Sequence, residues 1–373
     1  MSEVKRYPFC EPLLGPGTAA AIEQVLARNF LNEGAEAARL EGLVAEACGT
    51  QYAVAVTSGT VGLTLALMAC GVGAGDEVIV PDVTYVATAN AVTLTGARPV
   101  LVDIEPDSLG MDPHAAERAI TSRTKALLPV HVSGRAPAMP ELLALSRRHG
   151  LKVVEDAAEG LGSIAYGRAA GAHGDAGAFS FSPNKTISSG QGGIVVTNDE
   201  AIARRIRQLK NQGRVERGTG GADEHPSFGA NFKFTDLQAA VALAQMPELP
   251  ARLERLRGFY RIYRDELANL PGIRILPFDV DAGECPQWVD ALVEDRDGLH
   301  EALAARNAQS RKFWFPVHRH PPYATADDGF PVATRLAYQG LWLPSALILT
   351  EDDVRTVCGF IKAWASERHG AAA

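Results

Sequence analysis

The chain has 373 residues, of which 46% are hydrophobic and 21% are charged, and its formal net charge is −8. This length predicts two domains, and the acidic balance without a basic stripe argues against nucleic-acid binding. No run of about 18 apolar residues occurs, so we expect no membrane span. The five scattered cysteines, and an N-terminus without a hydrophobic signal core, predict a cytoplasmic protein in a reducing compartment.

Short apolar runs alternate with helix-period stretches through the first two thirds of the chain. Continuous runs of Val, Ile and Leu in this alternation predict an α/β fold, with a mostly parallel sheet covered by helices on both faces. Ligands of such sheets bind beyond the carboxyl ends of the strands, so residues directly after each run are candidates for a functional site. The runs are YAVAV (52–56), DEVIVP (76–81), RPVLVDI (98–104), KALLPVHV (125–132) and LKVVEDA (151–157).

The predicted secondary structure changes near residue 270. Residues 199–268 read as helices, whereas strand-like pieces flank a single helix, RDGLHEALAARN, after Pro271. We therefore predict a large domain over residues 1–250, including the N-terminal segment, and a small C-terminal α+β domain over residues 251–373.

Three small residues, Ser58, Gly59 and Thr60, lie between the first run and the helix-like stretch that follows it. The first turn of a helix has unpaired N–H groups and the positive end of the helix dipole, and glycine lets a ligand approach the backbone closely. This combination is typical of a phosphate cradle. The alternative is an ordinary helix N-cap with a turn glycine.

Asp156 ends a fully apolar strand in VVEDAAEGLGS (153–163). A partly desolvated carboxylate there is costly unless a cationic group pairs with it, such as a protonated pyridine nitrogen of a ligand. The alternative is an N-cap for the helical turn that follows. Glu155 points to the other face of the strand and is interpreted as structural.

Lys185 stands in an irregular loop, SPNKTISSGQGG (182–193), among small polar residues that leave room for a ligand. Most lysines in such a loop are simply solvated. A lysine near a cationic ring or in a poorly solvated pocket instead becomes a nucleophile that forms a Schiff base. A phosphate cradle, a carboxylate and a lysine, in that order, together indicate pyridoxal 5′-phosphate (PLP).

At this point nearly the whole chain resembles a known family. It is similar to the fold-type-I PLP-dependent sugar aminotransferases of the DegT/DnrJ/EryC1/StrS family, and the loop around Lys185 and the DAAEGLGS stretch are most like perosamine-type members, which act on a 4-keto-6-deoxy sugar nucleotide. The motifs that carry the resemblance are SGTVGLTLAL, PDVTYVATANAV, VEDAAEGLGS, FSFSPNKTISSGQGG, FGANFKFTDLQAA and FWFPVHRHPPY.

The resemblance implies a role for each residue of the cofactor site. Lys185 forms the Schiff base with PLP and then moves the proton. Asp156 pairs with the pyridine N–H. Tyr85 stacks on the pyridine ring, the alternative being a core tyrosine. Glu159 falls near the phenolic oxygen of PLP, where many members have glutamine, and two negative groups would repel there unless one is protonated. The phosphate ligands implied are Ser58, Gly59, Thr60 and Ser180.

The resemblance also implies residues that meet the substrate and a second subunit. Asn231 matches an asparagine that reaches the phosphate of the neighbouring subunit, which implies a homodimer with shared active sites; without the motif it would be a turn residue. His318 is implied at the mouth of the site, close to the sugar, and no metal spacing surrounds it. Solvated-surface readings stay open for four further candidates, which would meet the diphosphate or the sugar: Arg311, Lys312, Asn32 and Glu33.

The expected reaction moves an amino group from L-glutamate to PLP and then to a keto carbon of a nucleotide-linked deoxysugar. A 4-keto-6-deoxy sugar is favoured, in lipopolysaccharide O-antigen or antibiotic biosynthesis. A 3-keto sugar nucleotide and a cyclitol ketone stay open as acceptors. The rival from another class is a non-catalytic, PLP-binding regulator.

Overall fold

A computed structural model describes residues 5–214 and 223–369 of the chain. Within these residues the chain alternates strands and helices along the first half, as the sequence predicts. The strands are β1 (Tyr52–Val56), β2 (Glu77–Pro81), β3 (Arg98–Val102), β4 (Thr124–Leu127), β5 (Lys152–Asp156), β6 (Ile164–Ala165), β7 (Arg168–Ala169), β8 (Ala176–Ser180), β9 (Gly193–Thr197), β10 (Ile273–Ile275), β11 (Val289–Val293), β12 (Arg311–Lys312) and β13 (Gly340–Leu343).

The helices cover both faces of the strands and join them. Over the described ranges, none of them is both long enough and apolar enough to cross a membrane. They are α1 (Thr18–Ala27), α2 (Ala35–Cys48), α3 (Gly59–Ala69), α4 (Ala87–Leu94), α5 (Pro113–Ala119), α6 (Met139–His149), α7 (Glu200–Lys210), α8 (Asp236–Leu243), α9 (Leu249–Glu266), α10 (Arg296–Ala304), α11 (Pro331–Gln339) and α12 (Glu351–His369).

Side chains fix where the helices after the large sheet begin. Asp199 precedes α7, and its carboxylate accepts hydrogen bonds from the N–H groups of Ala201 (2.7 Å) and Ile202 (3.3 Å). Thr235 is the N-cap residue of α8 and forms a capping box with Gln238. Each cap satisfies N–H groups that have no partner within the helix.

The large sheet has seven strands in the order β1-β9-β8-β5-β4-β2-β3. All pairings are parallel except those of β9, which is antiparallel to both β1 and β8. The predicted α/β fold with a mostly parallel sheet is confirmed. Because β1, β2, β4, β5 and β8 run in one direction, the segments that follow them meet at one edge of the sheet.

A second, antiparallel sheet has the order β10-β11-β13-β12. Its apolar core includes side chains of α9 and α12. The N-terminal segment also reaches this sheet, since Tyr7 bridges to Ala308 and the Phe9 ring lies 5.2 Å from the Trp288 ring. The division of the chain near residue 250 stays a prediction, and α9 spans that point.

A buried polar cluster joins the loop after β4 to the second sheet. The Asp290 carboxylate of β11 accepts hydrogen bonds from the Ser133 hydroxyl (2.7 Å) and the Arg135 guanidinium (2.8 Å). Burial raises the pKa of Asp290, and the charge of Arg135 opposes that shift. Gly134 lies between the two donors at φ +93°, and a side chain there would collide with the Cys285 carbonyl oxygen. The connection therefore depends on both charge pairing and close backbone approach.

We predict that Asp290→Ala lowers the free energy of unfolding by about 3–5 kcal/mol, because it leaves the buried Arg135 guanidinium without its partner. Urea unfolding followed by circular dichroism measures the change. Arg274→Ala is the control, since Arg274 and Asp107 form an exposed pair at 2.7 Å and such pairs contribute about 1 kcal/mol or less. Equal losses in the two variants would contradict a supporting role for the Arg135–Asp290 pair.

Candidate active site

A cavity of about 420 Å³ lies at the edge of the large sheet where its parallel strands end. Both sheets contribute to its walls: β1, β2, β4, β5 and β8 lead into it from one side, and Trp288, Arg311 and Trp314 line it from the other. Nine residues singled out from the sequence line this one cavity. They are Ser58, Gly59, Thr60, Tyr85, Asp156, Glu159, Ser180, Lys185 and Arg311.

The N-terminus of α3 forms one wall of the cavity. Ser58 is the N-cap residue, and its hydroxyl oxygen accepts a hydrogen bond from the Val61 N–H at 3.2 Å. The N-cap reading from the sequence is therefore correct, and it is compatible with ligand binding because Gly59 and Thr60 still begin the helix with N–H groups that lack helical partners.

Strand β9 lies directly against this cradle. A Cβ atom at Gly193 would lie 2.5 Å from the carbonyl carbon of Ser58 and 2.6 Å from the amide nitrogen of Gly59. Contacts this short are not tolerated, so only glycine lets β9 pair with β1 while the helix N-terminus keeps its position. The last glycine of the loop that carries Lys185 is thus a part of the cradle.

Asp156 ends β5 with its carboxylate almost completely buried in the cavity wall. One carboxylate oxygen accepts a hydrogen bond from the Thr88 hydroxyl (2.7 Å), and the other accepts one from the Ala158 N–H (3.1 Å). Burial raises the pKa of Asp156, and the Thr88 hydrogen bond lowers it only in part. The carboxylate therefore caps the next turn, as one reading proposed, and still lines a cavity where a cation would stabilise it.

Lys185 is not a solvated surface residue, because only 10% of its side chain is exposed. Its Nζ atom lies 3.2 Å from Glu159 Oε1 and 5.0 Å from the centre of the Trp288 ring. The other Glu159 oxygen accepts a hydrogen bond from the Ser133 N–H at 2.8 Å. Burial raises the pKa of Glu159, against the opposing charge of Lys185. An amine, a carboxyl group that readily accepts a proton and an aromatic face thus meet at one point.

His131 lines the same cavity and was not identified from the sequence. Its Nε2 lies 2.7 Å from the Glu155 carboxylate, whereas its buried Nδ1 has no hydrogen-bond partner in the part of the chain that the structure describes. Glu155 also accepts hydrogen bonds from three backbone N–H groups, those of Gly171, His173 and Gly174, in keeping with a structural role. The available signal was that His131 lies near the carboxyl end of the apolar run KALLPVHV (125–132).

Five of the sequence candidates do not line this cavity: Asn231, Glu33, Asn32, Lys312 and His318. Asn231 is exposed and forms a β-bridge with Asn211. Glu33 is buried, with one carboxylate oxygen 2.7 Å from the Lys210 Nζ, and the neighbouring Asn32 is half-buried. Lys312 pairs with Asp297 at 2.9 Å.

His318 is also outside the residues that line the cavity, and its side chain is completely buried. Its Nδ1 lies 2.6 Å from Asp82 and its Nε2 lies 2.8 Å from Asp327, while the ring stacks on Phe330 at 4.5 Å. Asp82 directly follows β2 and precedes the turn that carries Tyr85. His318 thus anchors the start of a segment that enters the cavity.

Residues 14–362 match the DegT/DnrJ/EryC1/StrS aminotransferase family. The chain belongs to this family, and the resemblance inferred from its motifs is confirmed. The protein is accordingly an enzyme of the transaminase class.

Individual relatives agree with this assignment along nearly their full length. The chain is 37% identical to GDP-perosamine synthase of Caulobacter vibrioides, over 96% of this chain and 98% of that protein. It is 38% identical to S. venezuelae DesV, solved in complex with a ketimine intermediate, with a TM-score of 0.89 over 93% of this chain and 94% of that one. It is 31% identical to DesI, solved in the presence of its TDP-sugar product, with a TM-score of 0.90 over 99% and 95% of the two chains.

We predict that Gly193→Ala weakens the binding of a phosphate-bearing ligand by about tenfold or more, because overpacking of this kind typically costs about 1–3 kcal/mol. The added methyl group must push the Ser58–Gly59 backbone out of place. Equilibrium titration with PLP measures the effect. Gly42→Ala is the control, since a Cβ atom at that position meets nothing within 4 Å. Wild-type affinity in Gly193→Ala would show that the cradle does not depend on this contact.

Proposed function

We propose that the protein uses PLP to move an amino group from L-glutamate to a keto carbon of a nucleotide-linked deoxysugar, with a 4-keto-6-deoxy sugar as the favoured acceptor. The observation that carries this proposal is that the α3 N-terminus, Asp156 and Lys185 line one cavity. PLP has a phosphate, a pyridine nitrogen and an aldehyde, and these three groups match the chemistry of the three features.

The residues that line the cavity suit the three groups of PLP in charge and in hydrogen-bonding character. When bound, PLP supplies an electron sink for the carbon that carries the amino group. The cradle of Ser58, Gly59 and Thr60, with Ser180 beside it, binds the phosphate. Asp156 accepts a hydrogen bond from the ring N–H and keeps that nitrogen protonated. The ring of Tyr85, which is 56% exposed, is available to stack on the pyridine.

Lys185 supplies the amine and then holds or moves the proton at the reacting carbon. The contact with Glu159 bears on this role, because a nucleophilic amine must first lose a proton and Glu159 is the nearest carboxylate shown to contact it. In its protonated form Glu159 would also lose the expected charge repulsion from the phenolic oxygen of the cofactor.

The proposal for the sugar substrate rests on the second sheet and on the relatives. Arg311 lies on the cavity wall and offers a bidentate donor for a diphosphate. Trp314 lies on the same wall and offers an aromatic face. Both the GDP-perosamine synthase relative and the structure with a TDP-sugar product support a nucleotide-linked acceptor.

We further propose a homodimer in which Asn231 reaches the phosphate in the partner's site. Asn231 is exposed and does not line the cavity of its own chain. The side chain of Phe228, three residues earlier, is 74% exposed, and an exposed aromatic side chain of this size is favoured at an interface.

All five cysteines are unpaired, which supports a reducing, cytoplasmic location.

Lys185→Ala tests the cofactor assignment. We expect the purified wild-type protein to have a visible absorbance band from bound cofactor and the variant to lose it. Turnover should fall by about 10²–10⁴-fold, the range for loss of a general acid–base group. Lys125→Ala, at an exposed position of β4, should retain both properties. An unchanged band in Lys185→Ala would remove Lys185 from the proposed role.

A panel of ketones tests the acceptor. The protein is first aminated with L-glutamate, the excess is removed, and the loss of the aminated cofactor is followed by absorbance in a single turnover. We expect the fastest loss with a 4-keto-6-deoxy sugar nucleotide, and slower loss with 3-keto sugar nucleotides and free cyclitol ketones. Fastest loss with a cyclitol ketone would overturn the acceptor assignment. Failure of L-glutamate to aminate the bound cofactor would favour a PLP-binding regulator instead.

A further inference from the structure

Two threonine hydroxyls form a buried chain that ends on Asp156. Thr84 and Thr88 both belong to the segment between β2 and the first turn of α4, and their side chains are almost completely inaccessible to solvent. Their hydroxyl oxygens lie 2.7 Å apart, and the Thr88 hydroxyl lies 2.7 Å from Asp156 Oδ2. The distances are those of strong O–H···O bonds.

The direction of these bonds follows from counting protons. Each threonine hydroxyl has one proton, and an ionised carboxylate only accepts hydrogen bonds. Thr88 therefore donates to Asp156. Its other neighbour is the Tyr85 carbonyl oxygen at 3.1 Å, which already accepts a bond from the Thr88 backbone N–H. Since the Thr88 proton is used, Thr84 must donate to Thr88, and the chain runs from Thr84 through Thr88 to Asp156.

We propose that Thr88, supported by Thr84, is the positioning residue that holds Asp156 ionised and correctly oriented for the ring nitrogen of the cofactor. This inference rests on the proposed use of PLP. Asp156 is buried where its charged form is disfavoured, and among the described residues only two groups donate hydrogen bonds to it, the Thr88 hydroxyl and the Ala158 N–H. A charge-assisted bond in such a site is stronger than a neutral one, so its loss weakens whatever depends on the carboxylate.

The same short segment also presents the Tyr85 ring to the cavity and is anchored at its start by the Asp82–His318 contact. One stretch of chain thus sets both the stacking face and the orientation of the carboxylate. His318, expected from the sequence to meet the sugar, acts in this arrangement through Asp82 on the cofactor side of the site.

Titration of the cofactor-free protein with PLP tests the inference. We expect Thr88→Val, which keeps the shape but removes the hydroxyl, to weaken PLP binding by roughly 10- to 100-fold, the effect of losing a hydrogen bond to a charged group. The visible spectrum of bound cofactor should change, because the ring nitrogen is held less firmly in its protonated form. Thr88→Ser should restore affinity to within about threefold, since it keeps the donor.

Two further variants separate positioning from general destabilisation. Thr197→Val removes a buried hydroxyl at the far end of β9, where it bonds to the Asp175 carbonyl oxygen at 2.6 Å, and it should bind PLP with wild-type affinity and spectrum. Thr84→Val should weaken PLP binding by about threefold or more, because Thr88 loses its hydrogen-bond donor. If Thr88→Val does not fold, Thr84→Val is the variant that tests the positioning role.

Wild-type affinity and spectrum in Thr88→Val would overturn the inference, and so would a loss in Thr88→Ser as large as that in Thr88→Val. If Thr88→Val does not fold, wild-type affinity in Thr84→Val overturns it. The readout is cofactor binding and does not require a sugar substrate. If the wild-type protein binds no PLP, the proposed function itself is wrong. If the wild-type protein binds PLP and the Thr88 variant binds it equally well, only the positioning role of Thr88 is wrong.

Discussion

Two buried carboxylates beside one lysine are the arrangement on which the site depends. Asp156 and Glu159 lie on the same short segment, three residues apart, and burial raises the pKa of each. Lys185 contacts Glu159 at 3.2 Å and is largely shielded from water. Charges this deeply buried are costly unless they are paired. Under the proposed use of PLP, the protonated ring nitrogen of the cofactor would pair with Asp156.

The fold explains how residues from distant parts of the chain reach this point. The parallel strands β1, β5 and β8 all end at one edge of the sheet. Strand β9 runs antiparallel to them, so it begins at that same edge, next to the N-terminus of α3 and directly after the loop that carries Lys185. Gly193 permits that return because no side chain fits between β9 and the Ser58 backbone. The second sheet then closes the cavity with Trp288, whose ring also contacts the N-terminal Phe9.

The fold class, and the placement of Ser58, Asp156 and Lys185 at the strand ends that line one cavity, were predictable because each signal is local: an apolar run is followed closely by a residue type that suits a ligand. His131, Thr88 and Trp288 were not singled out, since their roles depend on which strands become neighbours. The burial of His318 depends on Asp82, which is 236 residues away. The role of Asn231 depends on a second subunit, so it stays a prediction.

Reduction with sodium borohydride tests the central claim most directly. The reagent makes permanent any covalent link between a lysine and the aldehyde carbon of PLP, and peptide mass spectrometry then locates the link. We expect a single modified peptide, which spans residues 182–193 and carries the cofactor on Lys185. A link on another lysine, or no link in protein that has bound PLP, would contradict the assignment of Lys185 as the amine of this site.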